Sequence, residues 1–340
     1  MNDLRPFSDR HQSAGSVRIG LSKLLSRLVL RQETTLIFVI LLIGVLAASR
    51  NPAFADRSNL TDIARASVIY FVMGCGAALV MIGGGLDFSV GSVFTLGGLL
   101  CAWLLVHGVP WPLAIAGGLC GGAFVGVINY LIISRLHVPP IIATLGTFFV
   151  VSGASIQITG GQDIVPLPDQ FQNLGQGGVV GVPYIVCYAV FVGLIAWCLL
   201  EKTPFGVNVR ALGGNRQAAI GNGLRVERLD RMLYVLGAAT AALAGIIYSA
   251  RVGSGQVSAG GAEVTLWVIT AVLIGGISLH GGLGSITGVA VGALLLAEIN
   301  NALIVASVPP QYNSMVVGSI LVCAVAVDHL RRQRLYRSRR

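Results

Sequence analysis

Between residues 34 and 328 the chain is a succession of ten apolar segments, roughly 34–49, 67–85, 88–106, 112–133, 138–158, 183–200, 232–250, 264–279, 284–306 and 311–328. Each runs 16 residues or more and is apolar on every face, the pattern of helices surrounded by lipid rather than half-bathed in water. A transmembrane barrel would show strands of about ten residues with alternating polarity. The predicted fold class is therefore all-α, a polytopic helical membrane protein of about ten transmembrane segments. Composition agrees, because only 11% of the residues are charged against about 25% in soluble proteins. The 45 glycines, scattered through the apolar runs, suit helices that pack closely through small residues.

The placement of charge sets the orientation. With the N-terminus inside, 19 of the 23 Lys and Arg residues fall on the cytoplasmic side, and basic residues near a span resist translocation. Both termini are accordingly expected in the cytoplasm. The domain reading is a basic tail over 1–33, a transmembrane domain over 34–328 and a basic tail over 329–340. Some segments are short or broken by glycine, so one or two are candidates for re-entrant rather than spanning helices. Residues 17–30 alternate basic and apolar positions, which fits either a helix lying on the anionic inner leaflet or a plain tail.

The one long polar stretch in the second half is 201–231, which carries Lys202, Arg210, Arg216, Arg225, Arg228 and Arg231. Asn215 is a good N-cap there, Arg216 to Ile220 are helix formers, and Gly221 and Gly223 suit a helix stop. A helix of one or two turns is marginal alone in water. Its stability is expected to come from docking, on its own membrane domain or on a soluble partner, unless the loop is only a solvated connector.

Chemistry-bearing residues are few. There is no phosphate-binding glycine loop, no zinc-protease helix and no hydrolase nucleophile motif, and only two lysines, Lys23 and Lys202. Histidines 11, 107, 137, 280 and 329 sit in tails or at segment ends. No catalytic site, cofactor or metal is expected, and the chain cannot hydrolyse ATP by itself. The charge of +9 is accounted for by tails and loop, which argues against nucleic acid. The six cysteines lie in apolar runs without metal or redox spacing and read as small buried residues. The long polar lead and the lack of a small-residue cleavage site argue against a removed signal peptide.

Ionisable and amide groups inside the apolar body are candidates for a polar pathway, because a buried charge in lipid is expensive and faces a cavity or a partner. Asp87 lies in the glycine-flanked GGGLDFSVGS, where it either marks a helix break beside a pathway or caps the next helix. Asn129, Glu298, Asn300 and Asn301 could hydrogen-bond a polyhydroxylated solute, or bond neighbouring helices together. Residues 51–66 are expected to form a short interfacial helix, and 159–183 a Gly, Gln and Pro-rich outer loop on which a soluble partner could rest. Two echoes, INYLIISRLHVPP with INNALIVASVPP and GGGLDFSVGS with GGISLHGGLGS, hint at internal repetition.

Four ordered motifs carry a resemblance: GGGLDFSVGS (83–92), FGVNVRALGGNRQAAIGNGL (205–224), ALAGIIYSARVGSGQVSAGG (242–261) and the stretch from IGGISLHGGLGS to INN (274–301). Together they resemble the membrane permease subunit of bacterial ABC sugar importers of the ribose, xylose, arabinose and galactose type. The resemblance implies an inner-membrane pore of two copies or two related chains, a cytoplasmic ATP-binding subunit and a periplasmic solute-binding protein. It also implies a coupling segment for the ATPase at Gly213, Gly214, Asn215, Arg216, Ala218, Ala219 and Gly221. Ile220-Gly221-Asn222-Gly223 replaces a more helical sequence, which implies a shortened coupling helix. The expected cargo is a monosaccharide or similar polyol. A signalling furanose, inositol or a nucleoside is the alternative within the family, and an ion-coupled carrier the alternative outside it.

Overall fold

The computed structural model describes residues 32–309 and 311–337. The N-terminal stretch read as a surface helix or tail lies outside them. Ten helices take up the ten apolar segments: α1 (Gln32–Arg50), α2 (Arg57–Ile82), α3 (Val90–Val106), α4 (Trp111–Arg135), α5 (Pro140–Thr159), α7 (Tyr184–Lys202), α10 (Val226–Val252), α11 (Ala262–Ile274), α12 (Ile286–Val305) and α13 (Gln311–Arg337). Between them stand α6 (Asp169–Gln176), α8 (Pro204–Gly214), α9 (Arg216–Gly221) and a hairpin of β1 (Gly178–Val179) and β2 (Val182–Pro183). Pro112, Pro140 and Pro204 fall in the first turns of α4, α5 and α8, where a missing N–H costs nothing.

Seven of the described helices, α1, α2, α4, α5, α7, α10 and α12, are long and apolar enough to cross a membrane. α3, α11 and the apolar part of α13 (Tyr312–Ala326) are shorter. At 13 residues α11 is about 20 Å long, too short for a hydrocarbon layer of about 30 Å. It starts beside α3: the Gly91 N–H donates to Thr265 Oγ1 (3.1 Å) and the Gly260 N–H to Thr95 Oγ1 (3.0 Å).

α10 is the hub and packs against α2, α3, α4 and α6. Close approach depends on glycine. A Cβ at Gly245 would lie 1.9 Å from the Phe94 carbonyl oxygen, and one at Gly126 2.5 Å from that of Tyr234. The packing sorts the connections into two ends of the bundle. At one end the 159–183 segment pairs with the loop after α10 through Ile164 and Gly255, with the Val257 N–H donating to Asp163 (2.9 Å). At the other end lie the C-termini of α2 and α11 and the α8–α9 segment.

Three expectations need correction. The interfacial helix over 51–66 is instead a single 3-10 turn, Pro52–Ala55, capped by Asn51, after which α2 begins at Arg57. The 159–183 loop is partly ordered, because α6 is strongly amphipathic and buries Phe171 and Gly175. Of the cysteines only Cys75 and Cys101 are buried, while Cys120, Cys187, Cys198 and Cys323 are exposed. The physical reason is that lipid is as apolar as a protein core, so an apolar run does not distinguish inward from outward faces.

Candidate coupling and translocation site

The two glycine motifs end their helices with one geometry. After α2, Gly83, Gly84 and Gly85 donate to Leu79, Met81 and Val80; after α11, Gly275, Gly276 and Ile277 donate to Ala271, Leu273 and Val272. Each is a Schellman stop. Its left-handed position is Gly84 (φ +85°) in one case and Gly276 (φ +92°) in the other, a conformation that glycine adopts without steric penalty. The GGG/GGI echo thus has a structural counterpart. The Val-Pro-Pro echo has a local one as well, for the residue before each is left-handed, His137 (φ +56°) and Ser307 (φ +55°).

The α2 stop and the loop that follows the α11 stop meet at a third glycine pair, Gly213–Gly214, which closes α8. The Gly282 N–H, in the loop after α11, donates to the Ile82 carbonyl (2.8 Å) at the end of α2. Gly213 lies on this contact, since a Cβ there would stand 1.9 Å from the Ile82 oxygen and 2.6 Å from the Gly282 nitrogen. A Cβ at Gly281 would stand 2.9 Å from the Cα atoms of both Gly213 and Gly84. Three backbone segments are thereby in direct contact, with no room for side chains between them.

Gly214 lies just beyond the junction with open space at its Cβ position. Asn215 then caps α9, its Oδ1 accepting from the Ala218 N–H (3.0 Å), as the sequence predicts. α9 is six residues long. Ala219 turns inward, while Arg216, Ala218, Ile220 and Gly221 are exposed. The helix is tied down by Arg216, whose Nη1 and Nη2 donate to the two carboxylate oxygens of buried Asp230 on α10 (3.2 and 2.5 Å). The Asp230 carboxylate holds the Arg216 guanidinium above the usual arginine range. Arg210, midway along α8, pairs with Glu201 at the end of α7. Between α8 and the start of α10 opens a cleft of about 510 Å³ lined by Phe205, Leu224, Leu229 and Met232 together with Arg225 and Arg228. α8 and the Asp230 anchor were missed from the sequence, where two acids among the arginines, Glu227 and Asp230, were the only hint.

The five polar positions separate into two groups. Asp87 and Asn129 are both buried near the α2 stop. Asp87 Oδ1 accepts from the N–H (2.8 Å) and hydroxyl (2.6 Å) of Ser89, and Asn129 donates to the Ser89 hydroxyl (2.9 Å). Ser89, the N-cap of α3, thus links the pair. Asp87 Oδ2, Asn129 Oδ1 and the Tyr234 hydroxyl, which adjoins Gly85, are buried and have no hydrogen-bond partner among the described residues. The second group lies on α12. Asn301 and Asn59 exchange two amide hydrogen bonds (2.9 and 2.8 Å), binding α12 to α2. Asn300 accepts from Asn313 of α13 (3.3 Å). Glu298 is buried against Gly44 of α1, and its Oε2 has no partner among the described residues.

The family described as "Branched-chain amino acid transport system / permease component" matches residues 59–325. The chain belongs to this permease family. Curated relatives cover nearly all of it. The ribose import permease of Bacillus subtilis (strain 168) is 37% identical over 86% of this chain and 90% of its own length. The D-allose transport system permease of Escherichia coli (strain K12) is 32% identical with the same coverage. The galactose/methyl galactoside import permease of Haemophilus influenzae is 31% identical over 89% of this chain and 95% of its own. Within the family, this permease groups with the membrane subunits of ABC sugar importers and is a multi-pass protein of the inner membrane. An autoinducer 2 import permease from Enterobacter is 32% identical over 91% of the chain.

Proposed function

We propose that the chain is the permease subunit of an ATP-driven importer that carries a monosaccharide across the inner membrane, with ten spans and both termini in the cytoplasm. The cargo class rests on the ribose, allose and galactose relatives taken together. ATP is hydrolysed by a separate cytoplasmic subunit. A periplasmic solute-binding protein delivers the sugar, and a second permease copy or a related chain completes the pore. The observation that carries the mechanism is the contact of Gly213 with the end of α2 and the loop after α11. In this reading α9 seats in the ATPase, and its displacement on nucleotide binding is passed by backbone contact to the α2 stop and that loop. The ATPase acts by favouring one access state through contacts it makes in that state only. Gly213, Gly214, Asn215, Arg216, Ala218, Ala219 and Gly221 form the coupling segment. Asp87 and Asn129, beside the α2 stop, are the pathway candidates that its movement would reach first, and Glu298, Asn300 and Asn301 are the more distant ones.

Co-reconstitution in proteoliposomes tests the reading. Uptake of ribose, allose or galactose is expected only with the ATPase subunit, ATP and the binding protein present. Uptake driven by an ion gradient without the ATPase would favour the ion-coupled carrier instead.

A further inference from the structure

The brevity of α11 has a consequence at the opposite end of the bundle from the glycine junction. α10 has 27 residues and is about 40 Å long, whereas α11 is about half that. α11 begins beside the N-terminus of α3, so the chain between Gly253 and Gly261 has to descend along α10 before α11 starts. Above the α11 N-terminus, α2 is therefore not covered by a full-length helix.

Polar and aromatic groups of α2, α10 and the 253–263 stretch gather there. The Arg251 guanidinium has Asp62, Arg65, Tyr70 and Tyr248 as its charged and phenolic neighbours, and among the described residues no carboxylate lies within ion-pair distance of it. Arg65 reaches Asp62 only at 3.7 Å, and its Nε is buried with no partner among the described residues. The Tyr248 hydroxyl donates to Gln256 Oε1 (3.0 Å) while its ring leans on Phe94 of α3 (5.5 Å). Deeper, Tyr70 stacks on Trp267 of α11 (5.8 Å) with Glu263 close by. Unlike core residues, Arg65, Tyr70, Tyr248, Arg251 and Gln256 are only half-buried and Glu263 is exposed. Arg65 and Arg251 lie just beyond the apolar runs of α2 and α10, at the end read as the outer one, where a charged side chain reaches water. A guanidinium with unused donors, a phenol, an amide and a carboxylate beside aromatic faces is the set that recognises vicinal hydroxyls.

We propose that Arg65, Tyr70, Tyr248, Arg251, Gln256 and Glu263 form an outer vestibule that receives a polyhydroxylated solute and leads it to the meeting point of the α3 and α11 N-termini. This vestibule rests on the importer reading and gives it a substrate-facing site.

The test uses the complete transporter in proteoliposomes, with whichever of ribose, allose and galactose the wild type moves. Tyr248→Phe and Gln256→Ala are expected to raise the KM for uptake about 3- to 10-fold, the size of one lost hydrogen bond, with ATP hydrolysis retained. Arg251→Gln is expected to exceed that. Independently, Gln256→Cys should react with a membrane-impermeant thiol reagent from the periplasmic side and be protected by the sugar; a lipid-facing Val190→Cys should not be protected. Unchanged KM in the first two variants, with Gln256→Cys equally reactive with and without sugar, overturns the vestibule while leaving ATP-driven import intact. A wild-type complex that moves none of the three sugars counts against the importer reading itself.

Discussion

Gly213 of α8 lies so close to Ile82 at the end of α2 that a methyl group on its Cα would stand 1.9 Å from the Ile82 carbonyl oxygen. Its neighbour Gly214 has open space in the same direction. Two adjacent glycines therefore have opposite tolerances, which separates the integrity of the junction from the docking of the loop. Gly213→Ala is expected to destabilise the permease by about 1–3 kcal/mol, the usual cost of overpacking, visible as a lower Tm in detergent. Gly214→Glu is expected to leave the Tm within about 0.5 kcal/mol of wild type and to abolish stimulated ATP hydrolysis. Normal stimulation in Gly214→Glu would remove this glycine from the docking surface.

The Arg216–Asp230 pair fastens α9 to α10 through two hydrogen bonds. Because Arg216 is half exposed (53% for its side chain), the pair's own contribution to stability is discounted to roughly 1 kcal/mol. Its larger effect is expected on coupling. Asp230→Asn should raise the ATP consumed per sugar delivered with little change in Tm, and a double-mutant cycle with Arg216→Gln should be non-additive. Additive losses would mean that the two residues act separately.

Asp87 fixes the turn into α3 with Oδ1, which accepts from Ser89. Asp87→Asn keeps an acceptor at that place, whereas Asp87→Ala removes it and is expected to cost about 1 kcal/mol for the lost turn hydrogen bonds. A structural role alone predicts that the Asn variant transports normally. Loss of uptake in a stable Asp87→Asn variant would instead assign the free Oδ2 to the pathway. Asn129→Leu, which cannot hold Ser89, should resemble Asp87→Ala.

On α12 the neighbouring polar groups are expected to diverge. Asn301→Ala breaks the reciprocal pair with Asn59 and should lower stability by about 0.6–2 kcal/mol without moving the KM for sugar. Glu298→Gln retains the shape of a side chain whose Oε2 has no partner among the described residues, so it should alter transport more than folding. Uptake kinetics and thermal unfolding of the two variants, measured side by side, check both expectations. Unchanged uptake in Glu298→Gln would mark the group as helix packing.

Much of the architecture was legible because lipid imposes a simple rule: a helix needs an unbroken apolar run, and ten such runs became ten helices. Asn215 and the α9 stop were legible because capping is local. The Asp230 anchor was not, since it sits 14 residues from Arg216 and depends on how α10 leans. Nor did an apolar run separate lipid-facing Cys187 from buried Cys75. The five pathway candidates could be named by residue type, but only packing divides Asp87 and Asn129, linked through Ser89, from the α12 amides paired to other helices. The glycine junction lay hidden for a similar reason. Gly84, Gly213 and Gly281 are remote in sequence, and each alone reads as an ordinary turn.

The central claim is that the exposed face of α9 points into the cytoplasm and seats in an ATPase subunit. Ala218→Cys, on that face, reports on it directly, with a membrane-impermeant thiol reagent applied to right-side-out and inside-out vesicles in a background lacking other reactive cysteines. Labelling is expected only in inside-out vesicles and is expected to fall sharply when the ATPase subunit is bound. Labelling in right-side-out vesicles, or labelling in inside-out vesicles that the ATPase leaves unchanged, would contradict it.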